Sequence, residues 1–166
     1  NATRIAKSDA LCDAIGDIDE TNALIGVVRS LNSTFGQNHA ADNKAIDEQL
    51  SVIQHKLFDL GAQVAQYKGN LLKNEDIVQL EQWIDEMQEN LSPLKQFILP
   101  AGNPAGSQCH LARTTCRRAE RKTWQAATDH EIEAEAVQYL NRLSDYLFVL
   151  ARTLNDQDEV FWQVGQ

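Results

Sequence analysis

The sequence predicts an all-α protein, an antiparallel bundle of five helices, from its periodicity, its breaks and its composition. Apolar residues recur at spacings of three and four along most of the chain, and period-two alternation is almost absent. Clusters of Gly, Pro and Asn divide this pattern into segments of helical length. Hydrophobic residues make up 43% and charged residues 23% of the 166 residues, which is typical of a globular protein. We therefore expect residues 1–166 to form a single helical domain.

Four apolar stripes predict core-facing helices. The first two stripes are Leu11, Ile15, Ile18, Ile25 and Val28, and then Ile46, Leu50, Ile53, Leu57, Leu60 and Val64. The last two are Ile77, Leu80, Ile84, Met87 and Leu91, and then Leu140, Leu143, Leu147, Leu150 and Leu154. Asn22 occupies a position on the first stripe where a hydrophobic residue is expected.

Breaks in the pattern predict the ends of the helices. The first three helices are expected to end near Asn32–Gly36, Lys68–Asn70 and Ser92–Pro93. Pro100–Gly106 predicts a loop before a fourth helix, which is expected to run roughly from Ser107 to Ala127. Asp129 is expected to cap the last long helix.

Charge and hydropathy exclude some classes of protein. The net charge of −9 argues against nonspecific nucleic-acid binding. No apolar run approaches the roughly 20 residues of a membrane span, and the start of the chain lacks the apolar region of a signal peptide. Because the chain also lacks an initiator Met, we expect its N-terminus to be trimmed or processed. These observations predict a protein that binds neither nucleic acid nor membrane.

The three cysteines, Cys12, Cys109 and Cys116, lack the density of a disulfide framework, so reduced thiols are expected. This favours a cytoplasmic location, although an organelle matrix has the same signature. Cys109 and Cys116 lie seven positions apart on the small-residue face of the fourth helix, where we expect core packing rather than zinc binding. The three tryptophans, Trp83, Trp124 and Trp162, are expected in the core or at an interface.

The fourth helix concentrates positive charge. Five of the fifteen basic residues fall within ten positions, namely Arg113, Arg117, Arg118, Arg121 and Lys122. Helical spacing places Arg113, Arg117 and Arg121 on one face, where they repel one another unless an anion or several carboxylates lie opposite. Two interpretations stay open: a binding site for a compact anion, and ion pairs with Asp or Glu of adjacent helices or subunits.

Three motifs together resemble the PduO-type ATP:cob(I)alamin adenosyltransferase family. Phe97-Ile-Leu-Pro-Ala-Gly102 followed by His110-Leu-Ala-Arg-Thr-Thr-Cys-Arg-Arg-Ala-Glu-Arg121 is similar to the family's main signature. Asn141-Arg-Leu-Ser-Asp-Tyr-Leu-Phe148 matches its second signature, and Gly16-Asp-Ile-Asp-Glu-Thr-Asn22 resembles its Gly-x-x-Asp-Glu-Leu-Asn motif. The motifs occur in the family's order, and the likeness extends over essentially the whole chain.

The resemblance implies a five-helix bundle assembled as a homotrimer, with the active site at a subunit interface. It implies that the 5′-deoxyadenosyl group of ATP, supplied with Mg²⁺, is transferred to cob(I)alamin or a related corrinoid, with release of triphosphate. Co(I) is itself a strong nucleophile, so neither a nucleophilic side chain nor a metal site of the protein is needed. The implied partners are a Co(II) reductase and an adenosylcobalamin-dependent enzyme.

The same resemblance assigns roles to individual residues. Arg113 and Arg117 match the family's ATP-site arginines, and Glu120 matches an acidic residue beside them. Asp19 matches the aspartate that pairs across the subunit interface with the residue at the position of Arg113. Asn141 matches a residue of the nucleotide site. These matches predict where the triphosphate of ATP binds.

Phe97 matches an aromatic that blocks the lower axial face of the corrinoid and keeps Co(II) four-coordinate, which eases its reduction. Taken without the family, the same residue is better interpreted as an anchor of its loop to the core. Arg118 and Arg121 are expected to make structural ion pairs. His110, despite its place in the signature, is expected to be a packing or hydrogen-bonding residue.

The chain departs from the family pattern at a few positions. Ala101-Gly102 replaces Gly-Gly and Asn103-Pro104 stiffens the turn, which is expected to alter corrinoid affinity. Thr21 replaces Leu in the third motif, a change that looks tolerable.

The nucleotide site is expected to extend beyond the printed sequence. Lys7 resembles the end of the family's N-terminal nucleotide segment, whose Gly-rich, Thr-containing loop should lie just before Asn1. The printed chain would then supply only part of the grip on ATP. This keeps open an alternative function, in which the protein binds ATP or a corrinoid without turnover as a carrier, chaperone or sensor.

Overall fold

A computed structural model describes residues 6–35, 40–66, 69 and 71–165, and these residues form five α-helices. The helices are α1 (Ala10–Phe35), α2 (Ala40–Val64), α3 (Asn74–Gln88), α4 (Pro104–Ala126) and α5 (Ala134–Asn155). The only extended pairing in these ranges is an isolated antiparallel bridge between Ile98 and Phe161. The predicted all-α class and the five helices are therefore confirmed. Nowhere in the described ranges is a helix long and apolar enough to cross a membrane.

The core forms where the predicted apolar stripes meet. α1 packs against α2 and α4, while α5 packs against α3 and α4. The members of the α2 and α5 stripes are buried, as are Leu11, Ile18, Ile25 and Val28 of α1. Asn22 is buried among them, and its side chain donates to the Gln54 carbonyl over 3.2 Å. This polar exception on the stripe joins α1 to α2.

The small face of α4 permits close contact with α5. Cys109 and Cys116 are fully buried, and their thiols donate to the carbonyls of Leu147 and Leu140 at 3.2 and 3.3 Å. Burial raises the pKa of both thiols far above its usual range. Both cysteines are therefore packing residues, as predicted, and their thiols are unreactive.

Two predicted boundaries of the later helices are wrong. α4 begins at Pro104 rather than near Ser107, because Asn103 caps it by accepting the Gly106 N–H over 2.9 Å. Proline is favoured in the first turn of a helix, where its missing N–H has no intrahelical partner. α5 begins at Ala134, five positions beyond Asp129, so that aspartate does not cap it.

Of the earlier boundaries, the end of α1 agrees with the prediction and the end of α3 does not. α1 ends at Phe35, within the predicted Asn32–Gly36, and the Asn32 side chain donates to the Asn43 carbonyl over 3.2 Å. α3 ends at Gln88, so Leu91 follows the helix instead of closing it. The predicted breaks at residues 36, 68 and 70 lie outside the described residues.

The tryptophans do not share one environment. Trp83 is half-buried and packs against Tyr146, with ring centroids 6.0 Å apart. Trp124 is 61% exposed, so a place in the core of this chain is wrong for it. Trp162 is partly exposed and contacts Phe97.

Candidate functional site

The basic residues of α4 divide into two faces, and the first is neutralised by α1. Arg118 Nε lies 3.1 Å from Asp17 Oδ2, and the same guanidinium also contacts Glu20. Lys122 Nζ lies 3.0 Å from Asp13 Oδ2. The hydrogen bond to Asp17 is the main cause of a raised pKa for Arg118. The predicted structural ion pairing of Arg118 is confirmed.

The second face carries Arg113 and Arg117, which form no ion pair within the part of the chain that the structure describes. The Nε of Arg113 is buried and has no hydrogen-bond partner among the described residues. Burial, followed by the positive charge of Arg117, lowers the pKa of Arg113. Arg117 itself is exposed. Two adjacent guanidiniums that form no ion pair with a described carboxylate make a site that would be stabilised by an anion.

Arg121 differs from the prediction made for it. Its Nη1 donates to the backbone carbonyl of Arg117 over 3.0 Å. Among the described residues it has no carboxylate partner, so the expected ion pair is wrong within this chain. Arg121 therefore contributes charge to the end of the unpaired face.

Glu120 and Asn141 extend the unpaired face onto α5. The Asn141 Nδ2 donates to Glu120 Oε1 over 3.0 Å. Glu120 lies three positions after Arg117 and is therefore its neighbour on the helix surface. The structure brings together four of the residues predicted for the nucleotide site, namely Arg113, Arg117, Glu120 and Asn141.

Phe97 is not the core anchor that sequence reasoning alone favoured. Its side chain is 78% exposed. The turn that carries it is joined to the C-terminal segment by hydrogen bonds from Leu99 N to Val160 O (2.7 Å) and from Trp162 N to Phe97 O (2.8 Å). The Phe97 and Trp162 rings meet edge-on at 6.1 Å. An exposed aromatic held by backbone bonds is available to contact a ligand.

Phe148 connects this turn to the arginine face. It lines a cavity of about 410 Å³ together with residues 94–98. The guanidinium carbon of Arg113 lies 6.0 Å from the centre of the Phe148 ring. Sequence reasoning did not single out Phe148, although it closes the Asn141–Phe148 motif, and that position was the available signal.

His110 lies beside the same ring, at a centroid distance of 6.3 Å from Phe148. It is 2% exposed, and neither of its ring nitrogens has a hydrogen-bond partner among the described residues. Burial is the main cause of a lowered pKa for His110, the charge of Arg113 adds to it, and Glu159 opposes it. His110 is thus a packed neutral imidazole. It was expected to be a packing or a hydrogen-bonding residue, and in the structure it is a packing residue.

Asp19 is not brought to Arg113 within this chain. Asp13, Asp17 and Glu20 of α1 contact α4, whereas Asp19 is exposed and lines a groove between α1 and α2. The groove has a volume of about 540 Å³ and is mostly apolar, and it includes Phe58, which is 71% exposed. Asp19 therefore lies on a face of the subunit that α4 does not cover.

Lys7 is exposed and lies just before α1. Two residues later, Asp9 Oδ1 accepts the Leu11 N–H and lies 2.8 Å from His130 Nε2. The hydrogen bond from the Leu11 N–H is the main cause of a lowered pKa for Asp9, and the contact with His130 lowers that pKa further. Asp9, two residues after Lys7, thus connects this part of the chain to the loop between α4 and α5. Within the described ranges, no contact joins Lys7 to the face that carries Arg113 and Arg117.

Comparisons with known proteins identify the family of the chain. The family model for cobalamin adenosyltransferases matches residues 1–154. The chain is 39% identical to a cobalamin adenosyltransferase of Cupriavidus metallidurans over 98% of this chain and 86% of that protein. It is 36% identical to a corrinoid adenosyltransferase of Mycobacterium leprae over 98% of this chain and 87% of that protein.

Solved structures agree as well. A variant of the PduO-type ATP:corrinoid adenosyltransferase from Lactobacillus reuteri, complexed with cobalamin and ATP, superposes with a TM-score of 0.82 at 30% identity, covering 96% of this chain and 89% of that one. Another variant of that enzyme, complexed with ATP, gives a TM-score of 0.86 at 30% identity, covering 98% and 92%. The chain therefore belongs to the PduO-type cobalamin adenosyltransferase family, whose members are transferases.

Proposed function

We propose that this protein transfers the 5′-deoxyadenosyl group of ATP to the cobalt of a reduced corrinoid and releases triphosphate. The observation that carries the proposal is the unpaired Arg113–Arg117 face, which reaches the Phe97 cavity through the ring of Phe148. The cationic face and the apolar cavity share the Phe148 side chain. This arrangement suits a reaction between a polyphosphate and a large apolar macrocycle. Membership of the family supports the same reaction.

At the nucleotide end, Arg113 and Arg117 bind the triphosphate of ATP, which enters with Mg²⁺. The Co(I) electron pair forms the bond to C5′ as the bond from C5′ to oxygen breaks, and triphosphate leaves with that bonding pair. Guanidiniums remain charged and can grip phosphate oxygens in pairs, so they stabilise the charge that develops on the leaving group. Glu120 and Asn141, already hydrogen-bonded to each other, orient the nucleoside part. Lys7 binds ATP from the N-terminal side.

At the corrinoid end, Phe97 covers the lower axial face of the macrocycle and keeps Co(II) four-coordinate. Its exposed ring is braced edge-on by Trp162, so that it faces the cavity without belonging to the core. Cobalamin is one acceptor that fits, and precursor corrinoids present the same macrocycle. An apolar surface against the lower face excludes water from the axial position, which favours the Co(I) state.

The active site is completed in a homotrimer, in which Asp19 of one subunit pairs with Arg113 of the next. Two features support this arrangement. Arg113 has a buried Nε without a partner, and Asp19 lies in an apolar groove beside the exposed Phe58. The pairing would satisfy one buried donor and cover one apolar surface at the same time. Sizing by light scattering tests the assembly, and a monomer at micromolar concentration would contradict it.

The reaction requires two partners outside this chain. A Co(II) reductase supplies the reduced corrinoid, and an adenosylcobalamin-dependent enzyme receives the product. We propose a cytoplasmic location for all three proteins, in keeping with three free cysteines, two of them buried. Fractionation of the source cells tests that location.

An optical assay tests the function. Chemically reduced cobalamin and Mg-ATP are mixed with the purified protein, and the spectrum of adenosylcobalamin is followed. Product formation that depends on both the protein and ATP is expected. Binding of ATP or corrinoid by calorimetry without any product would contradict the enzyme and support a carrier or sensor, and the absence of both would contradict either function.

A further inference from the structure

We propose that Asn155, the last residue of α5, is a positioning residue that fixes the Phe97 turn against the start of α4. The inference rests on the proposed function, because it assigns Asn155 an effect on corrinoid binding. Asn155 has no direct contact with Phe97, Arg113 or Arg117 in the structure. It acts through the backbone of the segment that joins the turn to α4, residues 99–103.

The Asn155 amide is buried, at 1% exposure, and it bonds to that segment on both sides. Its Oδ1 accepts the Asn103 N–H over 3.1 Å, and its Nδ2 donates to the Ala101 carbonyl over 2.8 Å. Asn103 returns the contact, since its Nδ2 donates to the carbonyl of Leu154. The end of α5 and the cap of α4 are thus joined by three hydrogen bonds, of which the two that involve Asn103 are buried.

Two glycines make room for this amide. A Cβ on either Gly102 or Gly106 would overlap with the Asn155 side chain. Gly102 also has a φ of +126°, a conformation that other residues adopt only with strain. The close approach of the Asn155 amide to this segment therefore depends on Gly102. Ala101, the residue before it, contributes the carbonyl that accepts from Asn155 Nδ2.

The other end of the turn is held by the same helix. Arg152 Nε lies 2.7 Å from Glu159 Oε1, and Arg152 Nη2 donates to the Ser92 carbonyl over 2.9 Å. Glu159 immediately precedes the segment whose backbone pairs with residues 97–99. Asn155 and Arg152 thus restrain the turn at two points. Of the two, Asn155 bonds directly to residues 99–103, the segment that joins the turn to α4.

The exposure of Phe97 explains why this restraint affects ligand binding. A buried aromatic is oriented by its neighbours on all sides, whereas Phe97 is exposed and is held by its backbone hydrogen bond and the Trp162 ring. A small rotation of residues 99–103 therefore moves the Phe97 ring relative to the arginine face of α4. Misplacement of a positioning group by about 1 Å can change a rate by roughly a hundredfold. The nucleotide contacts on α4 and α5 lie outside the displaced segment.

The test is Asn155→Asp in the full chain. Aspartate has nearly the same shape and keeps an acceptor for Asn103 N–H, but it replaces the donor to Ala101 with a second acceptor. We expect KM for the corrinoid to rise about tenfold, with KM for ATP unchanged. We also expect a smaller four-coordinate fraction in the spectrum of bound Co(II) corrinoid. Asn90→Asp is the matched control, since its exposed side chain takes the same charge change and bonds only to the Glu86 carbonyl within α3.

Asn103→Ser supplies a second variant. Serine can still cap α4, but it loses the donor to the Leu154 carbonyl, so the same selective rise in corrinoid KM is expected. Equal changes in both KM values, or a lower melting temperature with unchanged KM and spectrum, would reduce Asn155 to a structural residue and overturn the inference. Failure of the proposed function is distinguishable, because the unsubstituted protein would then form no adenosylcobalamin.

Discussion

Arg118 and Arg113 lie five positions apart on α4 but have opposite surroundings. Arg118 faces α1 and is met by Asp17 and Glu20. Arg113 faces away from α1, has a buried Nε without a partner, and lies next to another arginine, Arg117. The same residue type thus stabilises a helix pair on one face and leaves uncompensated charge on the other. Uncompensated, half-buried charge costs stability, and an anionic group placed against this face would remove that cost.

The largest effect is expected at the unpaired face. Arg117→Ala should lower the rate of adenosyl transfer on the order of a hundred- to a thousandfold, as is typical when a donor to developing charge is removed. Because Arg117 is exposed and forms no ion pair among the described residues, its melting temperature should stay unchanged. Single-turnover kinetics and thermal unfolding measure the two effects. An unchanged rate would contradict the assignment of this face to the triphosphate.

The next effect concerns two of the aspartates of α1, Asp17 and Asp19. Asp19→Asn should lower the rate about tenfold or more, because in the proposed trimer it removes a charge-assisted partner from Arg113 of the neighbouring subunit. Asp17→Asn is the matched control, since it removes a contact to Arg118 within the chain and should leave the rate unchanged. Steady-state kinetics and light scattering on both variants make the comparison. Equal losses of rate would show that Asp19 has no special role.

A smaller effect is expected on the pH dependence of stability, through His110, which lies between the nucleotide end and the corrinoid end of the proposed site. Because burial and Arg113 lower the pKa of His110 below its ordinary 6.5, the unfolded chain takes up this proton first as pH falls. The stability contributed by the neutral imidazole is complete above about pH 6.5 and decreases below it, until the folded state is protonated too. His110→Gln cannot titrate, so its melting temperature should decrease less between pH 7 and pH 5. An equal decrease of melting temperature with pH in the two proteins would contradict the statement that burial lowers the pKa of His110.

The smallest effect is expected at the paired face. Arg118→Ala should lower the free energy of unfolding by about 0.2–1 kcal/mol, because its ion pairs are partly exposed and screened by solvent. The rate of adenosyl transfer should remain that of the unsubstituted protein. Denaturant unfolding and the optical assay check both statements. A large loss of rate in this variant would erase the distinction between the two faces of α4.

The sequence predicted these two faces only incompletely. Helical spacing correctly separated Arg118 from Arg113 and Arg117, since the period of an α-helix is a local property. Spacing also placed Arg121 on the face of Arg113 and Arg117. The separate expectation of an ion pair for Arg121 is not met among the described residues, where Arg121 donates to a backbone carbonyl. Spacing along one helix does not say which carboxylates stand opposite, and Asp17 is about a hundred positions from Arg118 in the chain.

The helix ends show the same limit at a smaller scale. The turn before α4 was predicted from its Gly and Pro residues, and Asn103 caps the helix through a local bond to Gly106 N–H. The same residue also bonds to Asn155, 52 positions later, and that contact is not predictable from local sequence. α5 begins at Ala134, after Glu133, which makes no side-chain capping hydrogen bond, so the nearest typical capping residue, Asp129, does not mark where that helix begins. Element type was therefore predictable, and element ends were not.

The sequence by itself determined the all-α class, the buried stripes, the packing role of Cys109 and Cys116, and the family to which the motifs belong. These follow from the periods of apolar and small residues and from short motifs, all of which are local. Only the tertiary structure decided that Arg113 is unpaired, that Phe97 is exposed, and that Asn155 holds the turn between them. Each of these depends on contacts between segments far apart in the chain, and the free energy of such contacts is set by burial and geometry that no single segment contains.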